Sequence, residues 1–355
     1  MIYTGDYLSN KIYGTENNHS ITVKTENNAT FLICQLDVLF NGEVWSHPFE
    51  IPFFDNIASF YFGNFIHSII TQKFIMPNLD CNTFNYLDFD LAQVTMTLKE
   101  MDNETELSSL SHSFFMILGK FQTQDVTAFT PTYNYILENE IPEFVTPNAL
   151  ISCSFLSTNF PLKLLINSSE TTREINLIQP STTKLLHTII IPVKEIVSLT
   201  TSALTLSFEF PNNIILNIAS INVIDKGIDH NLIAFQNQFG SISVLEFNGE
   251  LKINNQFKYD DFETRSNNIN SINVSEITYN ETYTLNTGYW LDVIKYKLLK
   301  RTLKSFNIFL FQTTWLKIIL SKTTTITPYK TNFYQNNESL IFKLSENDNP
   351  IYRTF

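Results

Sequence analysis

A chain of 355 residues with 43% apolar residues is long enough for two or three hydrophobic cores, and its 9 glycines and 12 prolines exclude a collagen-like or low-complexity protein. Charged residues make up only 16%, and the net charge of −12 argues against direct nucleic-acid binding. Three widely spaced cysteines, Cys34, Cys81 and Cys153, support neither a disulfide framework nor a zinc site.

The first residues, Met1–Asp6, lack the basic and apolar regions of a secretory signal, and no apolar run approaches the ~20 residues that span a bilayer. We therefore expect synthesis in a cytoplasm and no membrane insertion. With 31 phenylalanines and few charges, the chain must build its polar surface from Asn, Thr and Ser. Such a surface suits permanent contact with other proteins, although the codon usage of an AT-rich genome favours the same residues.

The first part of the chain has the two-residue period of β-strands. Apolar and polar residues alternate in three segments: Ile21–Lys24, Phe31–Val38 and Val94–Leu98. Asn41 and Gly42, between two apolar runs, are typical of a tight β-hairpin. Apolar residues at helical spacing predict a short helix over Phe60–Ile70. Residues 1–130 are therefore predicted to form a β-sandwich that carries one short helix.

A second set of strands follows a proline-containing segment. Residues 131–147 include Pro131, Pro142 and Pro147, and the segment is interpreted as a linker because proline ends regular elements. Residues 148–230 are predicted to form a second β-sandwich. Its strands are expected at Leu150–Phe155, Leu162–Ile166, Glu174–Ile178, Leu185–Ile191, Ala203–Phe210 and Ile214–Val223.

Residues 231–355 are predicted to form a C-terminal β module with one amphipathic helix. Two strands, Leu232–Phe235 and Ser243–Phe247, flank a turn that contains Phe239 and Gly240, and a long polar connection leads to Glu281. A helix is expected at about 287–304, with Asn286 or Thr287 as its N-cap. Closing strands are expected at Phe306–Phe311, Trp315–Leu320, Thr323–Thr327 and Ser339–Leu344. The predicted fold is mainly β, with serial antiparallel β-sandwich domains and this C-terminal module.

The predicted helix has one basic face, formed by Lys295, Lys297, Lys300, Arg301 and Lys304. A phosphate backbone or an acidic protein partner would suit such a face. The simpler interpretation is the solvated side of an amphipathic helix, whose dipole favours cations near its C-terminus. At a net charge of −12, an acidic patch on a neighbouring copy is a better partner than DNA.

No residues are predicted to be catalytic, cofactor-binding or metal-binding. Asp80, Asp88 and Asp90 form the densest acidic group, for which Ca²⁺ binding is weighed against a solvated strand face, and the second is favoured. The six histidines are scattered: His19, His47, His67, His112, His187 and His230. Nucleotide-binding glycine motifs and a nucleophile elbow are missing from the sequence. A glycosidase-like pair of carboxylates from distant strands stays possible, but we expect no enzyme.

Aromatic residues raise the alternative of a sugar-binding surface, because a β-sandwich rich in Tyr and Trp is typical of carbohydrate-binding modules. Trp45, Tyr61, Tyr289 and Trp315 are the candidate stacking residues. Trp290 and Trp315 adjoin strongly apolar runs, so core packing is favoured for those two.

The C-terminal module resembles one that recurs in tail and baseplate-type structural proteins of phages that infect Bacteroidota, including crAss-like phages. The matching parts are Leu232–Gly249, Tyr283–Trp290, Phe306–Phe311 with Trp315–Leu320, and Thr323–Lys330 with Leu340–Leu344. The chain departs from that pattern in two ways: its helix is basic where the family's is acidic, and Tyr289 stands between Gly288 and Trp290. Residues 1–130 resemble the family's leading β-sandwich only loosely.

The resemblance implies a non-enzymatic virion component of the tail hub, tail barrel or baseplate, made in the bacterial cytoplasm. It further implies partners of two kinds, other copies of the chain in a ring and other tail proteins, and no cofactor. A ring requires two different faces on each copy and a rotation that closes. The alternative function is a carbohydrate-binding tail or surface adhesin.

Overall fold

A computed structural model describes residues 1–5, 11–16, 21–119, 135–138, 141–157, 159–168, 171–178, 184–197, 203–224, 230–266, 269–288, 293–321 and 338–345. For residues 4–5, 135–136, 138, 257–266 and 269–280 it describes the backbone alone. The described residues form five β-sheets and three α-helices, so the predicted mainly β fold with serial β domains and a C-terminal helix is confirmed. None of the described helices is long and apolar enough to cross a membrane.

The first region holds nine strands and one helix: β1 Ile2–Gly5, β2 Ile12–Gly14, β3 Ile21–Lys24, β4 Phe31–Phe40, β5 Glu43–Pro52, β6 Ile57–Phe60, α1 Gly63–Gln72, β7 Asn85–Phe89, β8 Ala92–Asp102 and β9 Thr105–Ile117. One sheet has the order β2-β9-β8-β4-β5, and a smaller one has the order β1-β3-β6. The alternating apolar residues of β4 and β8 are buried, and they pack with residues of β3, β6 and α1 in one core.

The predicted hairpin is confirmed, whereas the predicted helix is shifted. Asn41 and Gly42 join β4 to β5 with φ of 50° and 77°, values that the right-handed strand twist favours in two-residue turns. Helix α1 begins at Gly63 instead of Phe60. Phe60 is the last residue of β6, where it pairs with Ile21, so the helix starts only after that strand ends.

The second region holds eight strands and one short helix: β10 Tyr135–Glu138, β11 Phe144–Val145, β12 Leu150–Leu156, β13 Lys163–Asn167, β14 Thr172–Asn176, β15 Leu186–Pro192, α2 Val193–Ile196, β16 Ala203–Phe210 and β17 Ile214–Val223. Its two sheets have the orders β10-β12-β15-β7 and β11-β17-β16-β13-β14. Apolar side chains from both sheets fill one shared core, as in a sandwich.

Two strands lie within residues 131–147, which the sequence interpretation had assigned to a linker. β10 pairs with β12, and β11 pairs in parallel with β17. Pro142 precedes β11 and Pro147 lies between β11 and β12, so both prolines fall outside the strands while the segment stays paired with the sheets. Strand β7, from the first region of the chain, also enters the second region by pairing with β15.

The third region holds seven strands and one helix: β18 Asn231–Gln236, β19 Ile242–Phe247, β20 Leu251–Ser266, β21 Ile269–Asn286, α3 Val293–Lys304, β22 Ile308–Phe311, β23 Trp315–Leu320 and β24 Ser339–Leu344. They form one sheet of order β19-β18-β22-β23-β24-β21-β20. Only residues 248–250 join β19 to β20, so the sheet curves until these two outermost strands approach each other at that end. Helix α3 packs on one face, and the sheet of β12 and β15 covers part of the other.

The expected long polar connection before Glu281 is wrong, because the segment forms the two longest strands, β20 and β21, of 16 and 18 residues. The segment lacks the alternation of apolar and polar residues that indicates a strand, since few of the residues at every second position are apolar. The strand register also shifts between Asp260 and Asp261, which interrupts any two-residue pattern. The predicted helix is present as α3, but its expected start at 287 is wrong, because Asn286 ends β21 and Thr287 and Gly288 are not helical. Residues 289–292 and the predicted strand Thr323–Thr327 lie outside the described residues.

Candidate functional site

The three aspartates weighed as a calcium site are separated, and each has its own partner. Oδ1 of Asp88 lies 2.6 Å from Nδ1 of His187, and Oδ1 of Asp90 lies 3.1 Å from Nζ of Lys184. Asp80 accepts a hydrogen bond from the backbone N–H two residues later in its own turn. Within the described ranges, no group of three or more His, Cys, Asp or Glu residues could hold a metal ion.

The histidines and cysteines are likewise dispersed. His47 packs against Phe49 and Phe65, His67 contacts Thr15 and Glu16, His112 packs on Tyr3, His187 and His230 pair with acids, and His19 is outside the described residues. Burial raises the pKa of the Cys34 thiol to about 12 and is the main cause that raises the pKa of Cys81 to about 11. Thiols in this state are poor nucleophiles.

The candidate sugar-stacking residues do not form one surface. Trp45 is partly buried under Nζ of Lys73, which lies 5.1 Å from its ring. The hydroxyl of Tyr61 donates a hydrogen bond to the carbonyl of Thr15. Trp315 donates from Nε1 to the carbonyl of Leu79 at 3.2 Å, in a cluster with apolar neighbours. Tyr289 and Trp290 lie outside the described residues.

The basic face of α3 is real, but Lys295 does not belong to it. The side chains of Lys297, Lys300 and Lys304 are exposed, whereas Lys295 is only 5% exposed. The ammonium of Lys300 lies 4.6 Å from the ring centroid of Tyr296. Together with the half-buried Arg301, the three exposed lysines form what we call the basic surface.

Lys295 is buried because its ammonium faces a buried carboxylate. Its Nζ lies 3.9 Å from Oε2 of Glu246, whose other oxygen lies 3.0 Å from Nδ1 of His230. The backbone N–H of Thr146 donates to Oε2 at 3.3 Å, and its hydroxyl donates to Oε1. This group, which we call the Glu246 cluster, joins α3, β19 and the segment before β12.

The Glu246 cluster keeps its carboxylate ionised. Burial alone would raise the pKa of Glu246. The hydrogen bond from His230, the charge of Lys295 and the hydrogen bond from Thr146 outweigh that effect, so the pKa lies below its ordinary value of 4.5. A carboxylate with such partners is a weak base, and the cluster is therefore a structural junction. A glutamate inside the apolar run of β19 was the sequence signal that could have indicated it.

A groove adjoins the basic surface, between α1, the turn from β18 to β19, and the end of α3. It consists of two neighbouring cavities of about 370 and 360 Å³, both of which are lined by His67, Thr71 and Phe306. Gln236, Arg301 and Lys304 line the first cavity. A larger cavity of about 570 Å³ is lined mainly by the second region and also by Ile294 of α3, and Glu143 is the one charged residue among its described lining residues.

Two buried polar atoms border this groove without a partner. Nε2 of Gln236 and Oγ1 of Thr71 have no hydrogen bond to any residue that the structure describes. Phe306, at the same groove, is 74% exposed. An unsatisfied buried donor costs about 1–3 kcal/mol, so a ligand with an acceptor oxygen would stabilise this site. Nothing in the sequence pattern pointed to Gln236, Thr71 or Phe306.

The third notable feature is the end of the β20–β21 hairpin. Beyond Tyr283, the last residue paired with β24, no third strand pairs with the hairpin within the described chain. We call this part, Asn254–Ser266 with Ile269–Thr282, the outer ribbon. At about 3.4 Å per residue it is roughly 40 Å long.

The chain has no match among protein-family models or curated proteins.

Proposed function

We propose that this protein is a structural subunit of a bacteriophage tail, in the hub, barrel or baseplate, which assembles into a ring through its β domains. The observation that carries the proposal is the outer ribbon. A two-stranded ribbon is marginally stable alone in water, and its free edges can pair with other chains. A 16-residue strand paired with an 18-residue strand suits a protein whose neighbours complete it.

The distribution of exposed apolar side chains supports assembly through several faces. Phe54, Ile75, Ile178 and Phe306 are each more than 70% exposed, at 74%, 72%, 74% and 74%. They belong to different parts of the fold: the turn before β6, the segment after α1, the segment after β14 and the segment after α3. Apolar groups spread in this way suit a subunit with several neighbours better than one with a single binding cleft.

A carbohydrate-binding adhesin is the second candidate, and one observation favours it. The exposed ring of Phe306 beside the polar groove could stack on a sugar ring. The residues first considered for stacking give less support, because Trp45 and Trp315 are partly covered by their neighbours.

Quantitative mass spectrometry of density-purified particles tests the proposal. The particles should come from the phage that encodes the chain, and the copy number should be measured relative to the portal protein. We expect the chain to be present in a simple ratio to the portal, as a ring component would be. Absence from washed particles would overturn the virion assignment. Binding of the purified protein to host polysaccharide, lost on Phe306→Ala, would favour the adhesin.

A further inference from the structure

We propose that the outer ribbon of one copy docks on the basic surface of a second copy, beside the groove at Phe306. This inference deepens the proposed function by naming the two surfaces that join neighbouring subunits. The partner that docks is a second copy of this chain. Three features favour it: the opposite charges of the two surfaces, their complementary hydrogen-bonding groups and their separation within one copy.

The outer ribbon is acidic. It contains five acidic residues, Asp260, Asp261, Glu263, Glu276 and Glu281, against two basic ones, Lys258 and Arg265. The backbone register sets Asp260 directly opposite Glu276, and Asp261 follows at the register shift. The backbone register therefore brings several acidic positions together in the ribbon, and such a stretch attracts a cationic partner.

The basic surface has the complementary charge. Lys297, Lys300 and Lys304 follow one another at intervals of three and four residues, so all three project from the same side of α3. Lys297 and Lys304 make no ion pair with any described residue. Like charges at this spacing also repel, so an acidic partner would stabilise the helix as well.

The groove supplies a second, independent reason for a partner at this place. The free donor Nε2 of Gln236 borders the cavity that Lys304 and Phe306 also line. The outer edge of a ribbon presents a row of backbone carbonyl oxygens, which are acceptors for such a donor. Phe306 adds an exposed apolar contact at the same groove.

The contact must form between copies, because one copy does not make it. In the described chain, β20 has extended contacts with β21, and β21 also has them with β24. The residues of β20 and β21 that share a core with α3, namely Leu251, Tyr283 and Leu285, all lie outside the outer ribbon. The ribbon and the basic surface are therefore two different surfaces of one subunit. A contact between unlike surfaces is heterologous, and it generates a closed ring or an open filament according to the rotation.

Self-association of the purified full-length chain tests the proposal, measured by sedimentation velocity across a concentration series. Lys304→Glu and Asp261→Lys should each weaken association at least ~10-fold, because each sets like charges against one another across the contact. The double variant, Lys304→Glu with Asp261→Lys, should restore much of the affinity by exchanging the charges. Association of the wild type should also weaken between 0.1 and 1 M salt, where the screening length falls from about 10 to about 3 Å.

Matched controls separate the contact from general charge effects. Lys24→Glu and Glu104→Lys change the same charges at exposed positions on β3 and in the β8–β9 turn, and both should leave association unchanged. Circular dichroism and thermal unfolding of every variant verify that it folds.

Four results would overturn the proposal: a monomeric wild type at ~100 µM, equal effects of the control variants, no recovery in the double variant, or association that salt does not weaken. Loss of polysaccharide binding in Lys304→Glu with association unchanged would instead assign the basic surface to a glycan. Because particle composition is measured separately, the ribbon contact can fail while the tail assignment stands.

Discussion

Oε1 of Glu246 lies 3.0 Å from Nδ1 of His230, at a position where only 2% of the glutamate side chain is exposed. The ionised carboxylate can only accept, so the imidazole N–H donates. Lys295 of α3 is the second basic partner, and its Nζ lies 3.9 Å from Oε2 of Glu246. A buried charge is tolerated when it is paired and hydrogen-bonded, and loss of one partner leaves the others uncompensated.

Replacement of Glu246 should therefore destabilise the whole C-terminal module. We expect Glu246→Gln to lower the free energy of unfolding by about 2–4 kcal/mol, because the ammonium of Lys295 keeps its burial and loses its counter-charge. Urea unfolding followed by tryptophan fluorescence measures this. The exposed Glu104→Gln is the control and should change stability by less than about 0.5 kcal/mol. Equal costs for the two variants would contradict the structural role of the Glu246 cluster.

The same carboxylate has a defined pH dependence. Its pKa is lowered on folding from the ordinary value of 4.5, so its contribution to stability is present above that value and is lost as the pH falls through the folded pKa. His230 and Lys295 are the described titratable groups that contact it. The stability difference between the wild type and Glu246→Gln should therefore be constant near neutral pH and shrink below about 4.5. A difference that stays the same as the pH falls well below 4.5 would contradict this assignment.

Two glycines with similar backbone conformations provide a matched comparison. Gly42 and Gly119 have φ of +77° and +82°, which strains any L-residue equally, but an added methyl meets open space at Gly42. At Gly119 it would overlap the backbone carbonyl of Gln238 in the turn from β18 to β19. We expect Gly42→Ala to cost about 1 kcal/mol and Gly119→Ala about 2 kcal/mol more, measured by thermal unfolding. Equal costs would mean that this turn moves aside freely.

The buried amide of Asn237 connects the second and third regions. Its Nδ2 donates to the hydroxyls of Ser241 at 2.8 Å and Ser243 at 3.1 Å, and Oγ of Ser241 lies 2.8 Å from Oγ of Ser154 on β12. Asn237→Ala should lower the free energy of unfolding by about 2–4 kcal/mol, since it leaves several buried hydroxyls with fewer partners. Urea unfolding is the measurement. The control Asn64→Ala, at an exposed position, should have nearly wild-type stability. If it destabilised the protein as much as Asn237→Ala, the hydrogen bonds of Asn237 would not explain the loss.

The thiols offer a test of burial. At pH 8 the raised pKa values of about 12 for Cys34 and about 11 for Cys81 leave roughly a thousandfold and a hundredfold less thiolate than an unperturbed thiol of pKa 9.0. Alkylation by iodoacetamide, followed residue by residue with mass spectrometry, should be slowest at Cys34, faster at Cys81 and fastest in urea. Modification of Cys34 at its denatured rate would contradict a buried β4.

Much of the fold follows from local patterns. The alternation in Phe31–Val38 predicted β4, the pair of Asn41 and Gly42 predicted its hairpin, and the apolar runs of the second region predicted most of its strands. These succeed because each depends on neighbouring residues alone. The outer ribbon was not predicted, because its two strands are stabilised by pairing with each other and not by a pattern of apolar residues.

The candidate site was less predictable for a related reason. Lys295 has the spacing of the basic face of α3, yet it is buried because Glu246 of β19 lies within reach. The groove combines α1, the β18–β19 turn and the end of α3, and its free donor on Gln236 results from how these elements meet. Periodicity assigns a side chain to a face of its own element, but it does not say which distant element will cover that face.

The pairing of β7 with β15 has a consequence for the growing chain on the ribosome. Asp88 and His187, which are opposed in that pair, are 99 residues apart in the sequence. At roughly 5–20 residues per second, β7 leaves the ribosome on the order of 5–20 s before its partner has been made. During that interval the edge of β7 that will pair with β15 is open, although β8 and β9 can already pair in their own sheet. The unpaired β7 is exposed to aggregation from the synthesis of residue 89 until the synthesis of residue 192, where β15 ends. A chaperone that binds the nascent chain would have its largest effect in this interval.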